Sequence, residues 1–443
     1  MNENEELPDG WTLVRLADHT TVKARLGWKG LKAEEYIEDG YVFLATPNLK
    51  GHQIDFYNVN YISKWRYDES PEIQLRDGDV LLVKDGSTLG TSNLVRKLHR
   101  PATVNGSIAV VRTHPTLLSE YLYQVVKGDA FQFLIQLKKA GLGVPHLFQA
   151  DLREFFVKLP PKPQQRKIAT ILTTVDNLIE RTEALIAKYQ ALKQGLMHDL
   201  FTRGVDAHGQ LRPSQVDAPE LYKESALGWI PKEWTCDRVA EHISGIEQGW
   251  SPDCESDPAE SGEWGVLKTT AVDWDGFDFR QSKKLPPNLK PTPEYEVKVN
   301  DILMTRAGPN SRVGVVSFVE STQSMLILSD KIYRIVPRGT VTSRFLAKSL
   351  SCAGTQTHLS TLKTGLAESQ TNISQEIVKR LWIAVPRIAE QKMIDAILVS
   401  SDQVLKTERE NQLKLRVQKS GLMQDLLTGN VRVKVTEGGE VGV

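Results

Sequence analysis

This chain repeats itself on the scale of a gene. Residues 160–205 align without a gap on residues 386–431 at an offset of 226, with 15 identities over 46 positions. The densest match sets Gly195-Leu196-Met197-x-Asp199-Leu200 against Gly421-Leu422-Met423-x-Asp425-Leu426. The half before each segment repeats more faintly. Leu7-Pro8, Trp11 and Arg15 answer to Ile230-Pro231, Trp234 and Arg238, and Asp79-Val80-Leu81 answers to Asp301-Ile302-Leu303. Each unit exceeds 200 residues, too long for a solenoid module, so the chain reads as two copies of one plan: a variable half, then a repeated half.

The repeated halves carry a helical period. In the first, Ile168, Ile171, Val175, Leu178, Leu185, Tyr189, Leu192 and Leu196 alternate by three and four residues, interrupted at Thr182. Leu172, Ile179 and Ile186 widen the stripe on one side. Pro160, Pro161 and Pro163 mark its start and Gly204 its end, giving about 38 residues and roughly 57 Å of helix. In the second, Ile394, Ile397, Val404, Leu415 and Leu422 keep the stripe, while Ser401, Glu408, Asn411 and Gln418 fall on it. Gly195 and Gly421 lie inside the helical pattern at a cost of about 1 kcal/mol each, which suggests a close helix crossing or a kink. Two matching helices in one chain pair most simply antiparallel. The expected fold class is α+β: two mixed α/β heads separated by a long antiparallel coiled coil, with pseudo-two-fold symmetry. The expected domains are 1–160, 161–205, 206–385 and 386–443.

In the first head, residues 42–45, 80–83 and 108–112 read as short strands and residues 117–139 as one helix ending in lysines. The second head offers strands at 266–267, 302–305 and 332–336 and a helix near 342–351. The polar, proline-broken stretch from Asp206 to the second head reads as a surface connector. Lys+Arg and Asp+Glu are 55 each, so a nucleic-acid-binding face must be a local patch, or a partner must supply phosphate affinity. The three cysteines are scattered, no apolar run reaches bilayer length, and the N-terminus is acidic, so a reducing cytoplasm is the expected location.

Catalytic signatures are missing from the sequence. It has no GxxxxGK[ST] loop, no Asn-Pro-Pro-aromatic motif, no F-x-G-x-G loop, no HExxH and no CxxC pair. Pro252-Asp253 upstream of Glu296-Val297-Lys298 loosely resembles a nuclease metal site, the one support for a stand-alone DNA-modifying enzyme. Cys236 and His242 form a weak metal pair, and the run from Gly86 to Gly90 could cradle a phosphate but reads better as a turn. A third reading is a coiled-coil tether whose two heads bind proteins.

The alternating plan, the GLMxDL repeat, the Pro…Gln-[Arg/Lys]-x-Ile-Ala-x-Ile-Leu opening and Gly228-Trp229-Ile230-Pro231-x-x-Trp234 together resemble the specificity subunit of type I restriction–modification enzymes. That resemblance covers almost the whole chain. It implies that each head reads one half of a split double-stranded DNA target and that the helices set the gap. It implies docking of two modification (methyltransferase) subunits and association with restriction (ATP-dependent endonuclease) subunits. The chain itself would be non-catalytic and bind no cofactor; S-adenosylmethionine, ATP and magnesium would sit on the partners. No membrane is involved.

On that reading, DNA contacts fall on loops after the recurring strands, where arginine and lysine suit guanine and amides suit adenine. In the first head the candidates are Thr46, Asn48, Lys50, Lys84, Asp85, Ser87, Thr88, Lys138, Lys139 and His146. In the second they are Lys268, Thr269, Thr270, Arg306, Asn310, Ser311, Arg312, Lys363, Thr364 and Gln370. Arg306→Ala is expected to weaken or relax reading at roughly one position, by about 1–3 kcal/mol if the arginine grips a guanine. Partner or helix-interface candidates are Ile179 and Ile186 on the outer stripe, with Leu196, Met197, Asp199, Leu422, Met423 and Asp425, while Leu178, Leu185, Leu192 and Leu196 are expected in the core of the rod.

Overall fold

The computed structural model describes residues 7–24, 31–140, 145–254, 256–363 and 371–435. It divides into two compact units that cut through both long helices. One holds residues 1–186 and 408–443, the other residues 187–407.

In the first unit, the strand Val80–Val83 has no polar residue and is buried on both faces. Val80 and Leu82 point into a core shared with helices, whereas Leu81 and Val83 point into a second core against another sheet. Alternation therefore sandwiches a four-stranded antiparallel sheet, in which Ile108–Thr113 is a central strand. The second sheet has three strands, and Tyr41–Leu44 runs parallel to Ala102–Val104 within it. The second unit is built on the same frame. Ile302–Thr305 divides its side chains between two cores in the same way, and Gly265–Leu267 runs parallel to Leu326–Ile327. Arg112 clamps buried Asp79 through two bonds of 2.7 and 2.8 Å, and Arg334 meets Asp301 at 3.2 Å.

A last short strand pairs with the first strand of each head and runs straight into a long helix. Phe156–Leu159 pairs with Thr12–Arg15, and Trp382–Val385 pairs with Thr235–Arg238. The long helices span Lys162–Thr202 and Ile388–Thr428, 41 residues each. A buried glutamine in the first turns of each helix staples it to its head. Gln165 accepts from Leu118 N at 2.8 Å and donates to the Thr116 and Pro160 carbonyls; Gln391 does the same with Thr342 N at 2.9 Å, Thr340 and Pro386.

The helices lie antiparallel within each unit. In the first unit Asp176 bonds Lys419 at 2.6 Å, and Glu183, seven residues on, bonds Gln412, seven residues back, at 3.0 Å. In the second unit Lys193 pairs with Asp402. The stripe that packs differs from the most apolar one. Ile179 and Ile186, expected to face outward, are buried at 4% and 9% exposure, whereas Leu178 and Leu192, expected in the core, are 43% and 56% exposed. The seam runs through Gln165, Ile168, Leu172, Asp176, Ile179, Glu183, Ile186, Lys193, Met197 and Leu200. Its equivalents on the second helix include Gln391, Ile394, Leu398, Asp402, Leu405, Gln412, Lys419, Met423 and Leu426. Charges sit on the seam because they neutralise one another there, so a count of apolar residues alone lands one residue away.

Three further expectations change. The helix at 117–139 is two helices, Ser119–Lys127 and Asp129–Lys139, broken at Gly128, where a Cβ would press on Leu427 at 3.1 Å. The connector is structured: Tyr222–Ser225 and Gly228–Pro231 form a hairpin, and Arg212 reaches Glu390 at 3.0 Å. Both helices run through Gly195 and Gly421 without interruption, and a Cβ at either would meet nothing within 4 Å, so the chain makes no close crossing there.

Candidate nucleic-acid interface

The parallel strand pair and the central antiparallel pair bring four strand ends to one edge of each head. In the first head, the turn after Tyr41–Leu44 is a single 3-10 turn, Thr46–Leu49. Buried Asn48 holds it by accepting from Ala45 N at 2.9 Å and donating to the Asn58 carbonyl at 2.8 Å, so it braces the loop and presents nothing outward. Thr46 lies half-buried beside it and Lys50 is exposed. Lys84, at the exit of Val80–Val83, gives its backbone N–H to Ser107 and takes the N–H of Leu147. The edge thus gathers Lys84, Asp85, Ser107 and His146. Asp85 accepts from Lys84 Nζ at 2.8 Å on one oxygen and meets His146 Nδ1 with the other. Ser87 is exposed and Thr88 half-buried on the turn that follows. Lys138 instead pairs with Asp151 at 2.8 Å, and Lys139 is exposed at the end of its helix.

The second head repeats the geometry with other side chains. Lys268 donates to the Ser256 carbonyl at 3.1 Å, Thr270 is exposed and bonds Gln281 at 3.1 Å, and Thr269 lends its carbonyl to Arg312 at 3.2 Å. Arg312 also pairs with Asp273 at 2.5 Å and bonds the Val272 carbonyl at 2.7 Å, so it staples two loops together. Lys363 donates to the Val313 carbonyl at 2.9 Å. Arg306 does not reach outward. Its Nη1 donates to the Asp330 carbonyl at 3.0 Å, its Nη2 to Asn372 Oδ1 at 2.8 Å, and its guanidinium lies over Tyr333. Asn310 and Ser311 are exposed on the neighbouring turn. Thr364 and Gln370 lie outside the described residues.

Sequence reasoning missed the turn between the parallel strand and the central strand. It carries Asn105, Gly106 and Ser107 in the first head and Ser329, Asp330 and Lys331 in the second. An Asn-Gly pair between two apolar runs was the available signal in the first head. It also missed Asn372, and Tyr57 and Trp274, which are 96% and 47% exposed on loops of their heads.

Other motifs are used within the fold. The Glu296 carboxylate takes the backbone N–H of Met325 at 2.7 Å. Both ring nitrogens of His242 are occupied, by Thr340 at 2.9 Å and Asp237 at 3.0 Å. Among the described residues, no three of His, Cys, Asp and Glu gather as a metal site.

In each unit the two long helices are tied to the head through a charge network. Asp176 bonds Lys419 and Gln124, with Lys127 at 3.9 Å; Asp402 meets Lys193, with Lys348 at 3.2 Å. Burial pushes the Asp176 carboxyl up, but the charge of Lys127 and the bond and charge of Lys419 more than offset it and hold it below the usual aspartate value. Burial also lowers both lysines. On the outward face of the first helix, Lys188, Ala191, Leu192, Gly195, Leu196 and Asp199 line a shallow depression. Asp199 pairs one turn on with Arg203 at 3.5 Å. Met423 is buried in a core, and Leu196, Met197, Leu422 and Asp425 are half-buried.

Comparison with known proteins adds the family context. A family model described as the type I restriction modification DNA specificity domain matches residues 8–190. The type I restriction enzyme EcoEI specificity subunit of Escherichia coli is 42% identical over 177 residues, which is 39% of this chain and 29% of that protein. The MjaVIII specificity subunit of Methanocaldococcus jannaschii is 26% identical over 441 residues, covering 97% of this chain and 94% of that one. Among solved structures, the type I restriction–modification S subunit from M. genitalium superposes with a TM-score of 0.57 at 16% identity, covering 96% of this chain and 97% of that one. At that identity the likeness speaks for the fold.

Proposed function

We propose that this chain is a specificity subunit of a type I restriction–modification system and serves as the DNA-reading subunit of such a complex, a reading supported by the family match and by the relatives along its length. Each head reads one half of a split target, and the antiparallel helices set the gap between the halves. The observation that carries this reading is the contrast inside the duplication: two heads share one frame and one loop-bearing edge, yet the side chains on that edge differ. A pair of heads selected for one shared ligand surface would not need unlike edges. With a net charge of zero, partner subunits supply much of the phosphate affinity.

Methylation of adenine and DNA cleavage belong to the partners, which carry S-adenosylmethionine, ATP and magnesium. Two modification subunits dock on the long helices, and restriction subunits join through them. The repeat points to the docking face. Most identities between the two helices are explained by the seam or by the head staple, but Lys188 and Lys414, and Gly195 and Gly421, are exposed and identical. They share a helical face with Asp199 and Asp425, and the glycines leave room for another backbone. The same outward pattern occurring twice fits two copies of one partner. Among the described residues no helix is long and apolar enough to cross a membrane, and the place of action is the cytoplasm, where the DNA lies.

The test is a single-molecule methylation map of DNA from cells with and without this chain, its modification subunit held constant. One bipartite motif, modified only when the chain is present, is expected. Modification that is independent of the chain, or an undivided motif, would contradict the reading.

A further inference from the structure

The segment that returns to the edge just before the final helix-leading strand occupies the same place in both heads. Leu147 N donates to the Lys84 carbonyl, and Ile373 N donates to the Arg306 carbonyl, each at 2.9 Å. His146 bridges to Asp85 and Asn372 pairs with Ala307, so His146 and Asn372 are structural equivalents. The offset of 226 that aligns the long helices also sets position 146 against 372, although the residues differ. In each head, however, a charged neighbour orients a planar polar group.

In the first head, Asp85 faces Nδ1 of His146, and Lys84 holds the other carboxylate oxygen. An ionised carboxylate only accepts, so Nδ1 carries a proton, and in the neutral form of the ring Nε2 is left as an acceptor. Phe148 packs against the ring at 4.3 Å, and the side chain is 34% exposed. In the second head, Arg306 faces the Asn372 amide at 2.8 Å. A guanidinium only donates, so the facing atom is Oδ1, and both Nδ2 donors are left for something else. Asn372 is exposed, and Arg306 is itself fixed by the Asp330 carbonyl and Tyr333. The same spot therefore offers an acceptor in one head and a donor in the other.

We propose that His146 and Asn372 are specificity-determining residues at equivalent positions, the first reading a base-edge donor and the second a base-edge acceptor. The donor would be an adenine or cytosine amino group in the major groove; the acceptor would be guanine O6 or N7, adenine N7 or thymine O4. Asp85 and Arg306 are positioning residues that set the polarity of each group. This assignment rests on the DNA-reading function proposed above. It revises the sequence-based role of Arg306 from a guanine grip to a support for Asn372.

The experiment uses the full chain with its modification subunits and a methylation map. His146→Ala should relax discrimination at one base pair of the first half-site, and Asn372→Ala at one base pair of the second, each by about 5- to 150-fold. Arg306→Ala should relax the same base pair as Asn372→Ala and add nothing to it in the double variant. His146→Phe and Asn372→Leu keep side-chain volume while removing the polar group, and they stand in if an alanine variant unfolds. Unaltered motifs in folded variants would overturn the proposal, as would relaxation by Arg306→Ala at a different base pair. If the wild-type complex modifies no bipartite motif at all, the failure lies in the DNA-reading function and not in these residues.

Discussion

The seam of the long helices and the sheet edges of the heads have been treated differently by the duplication. Along the seam, Gln165, Ile168, Leu172, Asp176, Lys193, Met197 and Leu200 recur as the same residues 226 positions later. At the edges the framework recurs but the side chains do not: His146 becomes Asn372, Lys84 becomes Arg306, and Asn105-Gly106-Ser107 becomes Ser329-Asp330-Lys331. What both halves must satisfy together, a common helix pairing, stays fixed. What each half does alone, against its own stretch of ligand, is free to differ.

The comparison can be broken first at the charge network. Asp176→Ala leaves Lys419 and Lys127 facing each other without their carboxylate, with Asp176 and Lys419 only 10% and 13% exposed. Removing one partner of a buried ion pair costs about 3–5 kcal/mol, so the urea midpoint of the variant should fall steeply. Asp402→Ala should cost less, because its carboxylate is 28% exposed and its lysine partners 22% and 21%. Equal losses would mean that burial does not govern the two networks. The same carboxyl fixes a pH dependence. It is held below the ordinary aspartate value in the folded chain, so its contribution is full above the unfolded value of about 4 and is lost as pH falls through the folded value. The advantage of wild type over Asp176→Asn should therefore shrink below about pH 4. An advantage unchanged down to pH 2 would remove Asp176 from the account of acid stability.

A smaller effect sharpens where the seam lies. Ile179→Ala should lower stability by about 2–4 kcal/mol, since its side chain is enclosed, whereas Leu178→Ala should stay within about 0.5 kcal/mol. Thermal unfolding of the two variants separates them, and a larger loss at Leu178 would return the seam to the apolar stripe.

Much of the architecture was legible. The offset repeat gave two heads and two helices, the strands at 80–83 and 302–305 stand where their β-branched and apolar runs put them, and the helices run antiparallel in both units. The seam was misplaced by one residue because hydrophobicity was weighed and neutralised charge was not. The repeat identities themselves trace the packed face, and Asp176 and Lys193 among them were the clue. The edges were only partly legible. Arg306, Arg312 and Lys363 are cations on loops, which looks like DNA contact in a sequence, but each is consumed by carbonyls or carboxylates that only tertiary structure brings near. Asn372 was invisible for the complementary reason: its importance comes from an arginine 66 positions away.

The account stands or falls on whether the two heads read separately. Residues 1–160 can be exchanged for the first head of another specificity subunit, and the modified motif mapped in cells that supply the same modification subunit. A motif whose first half and nothing else changes is the predicted result. A change in both halves, or in neither, would contradict it.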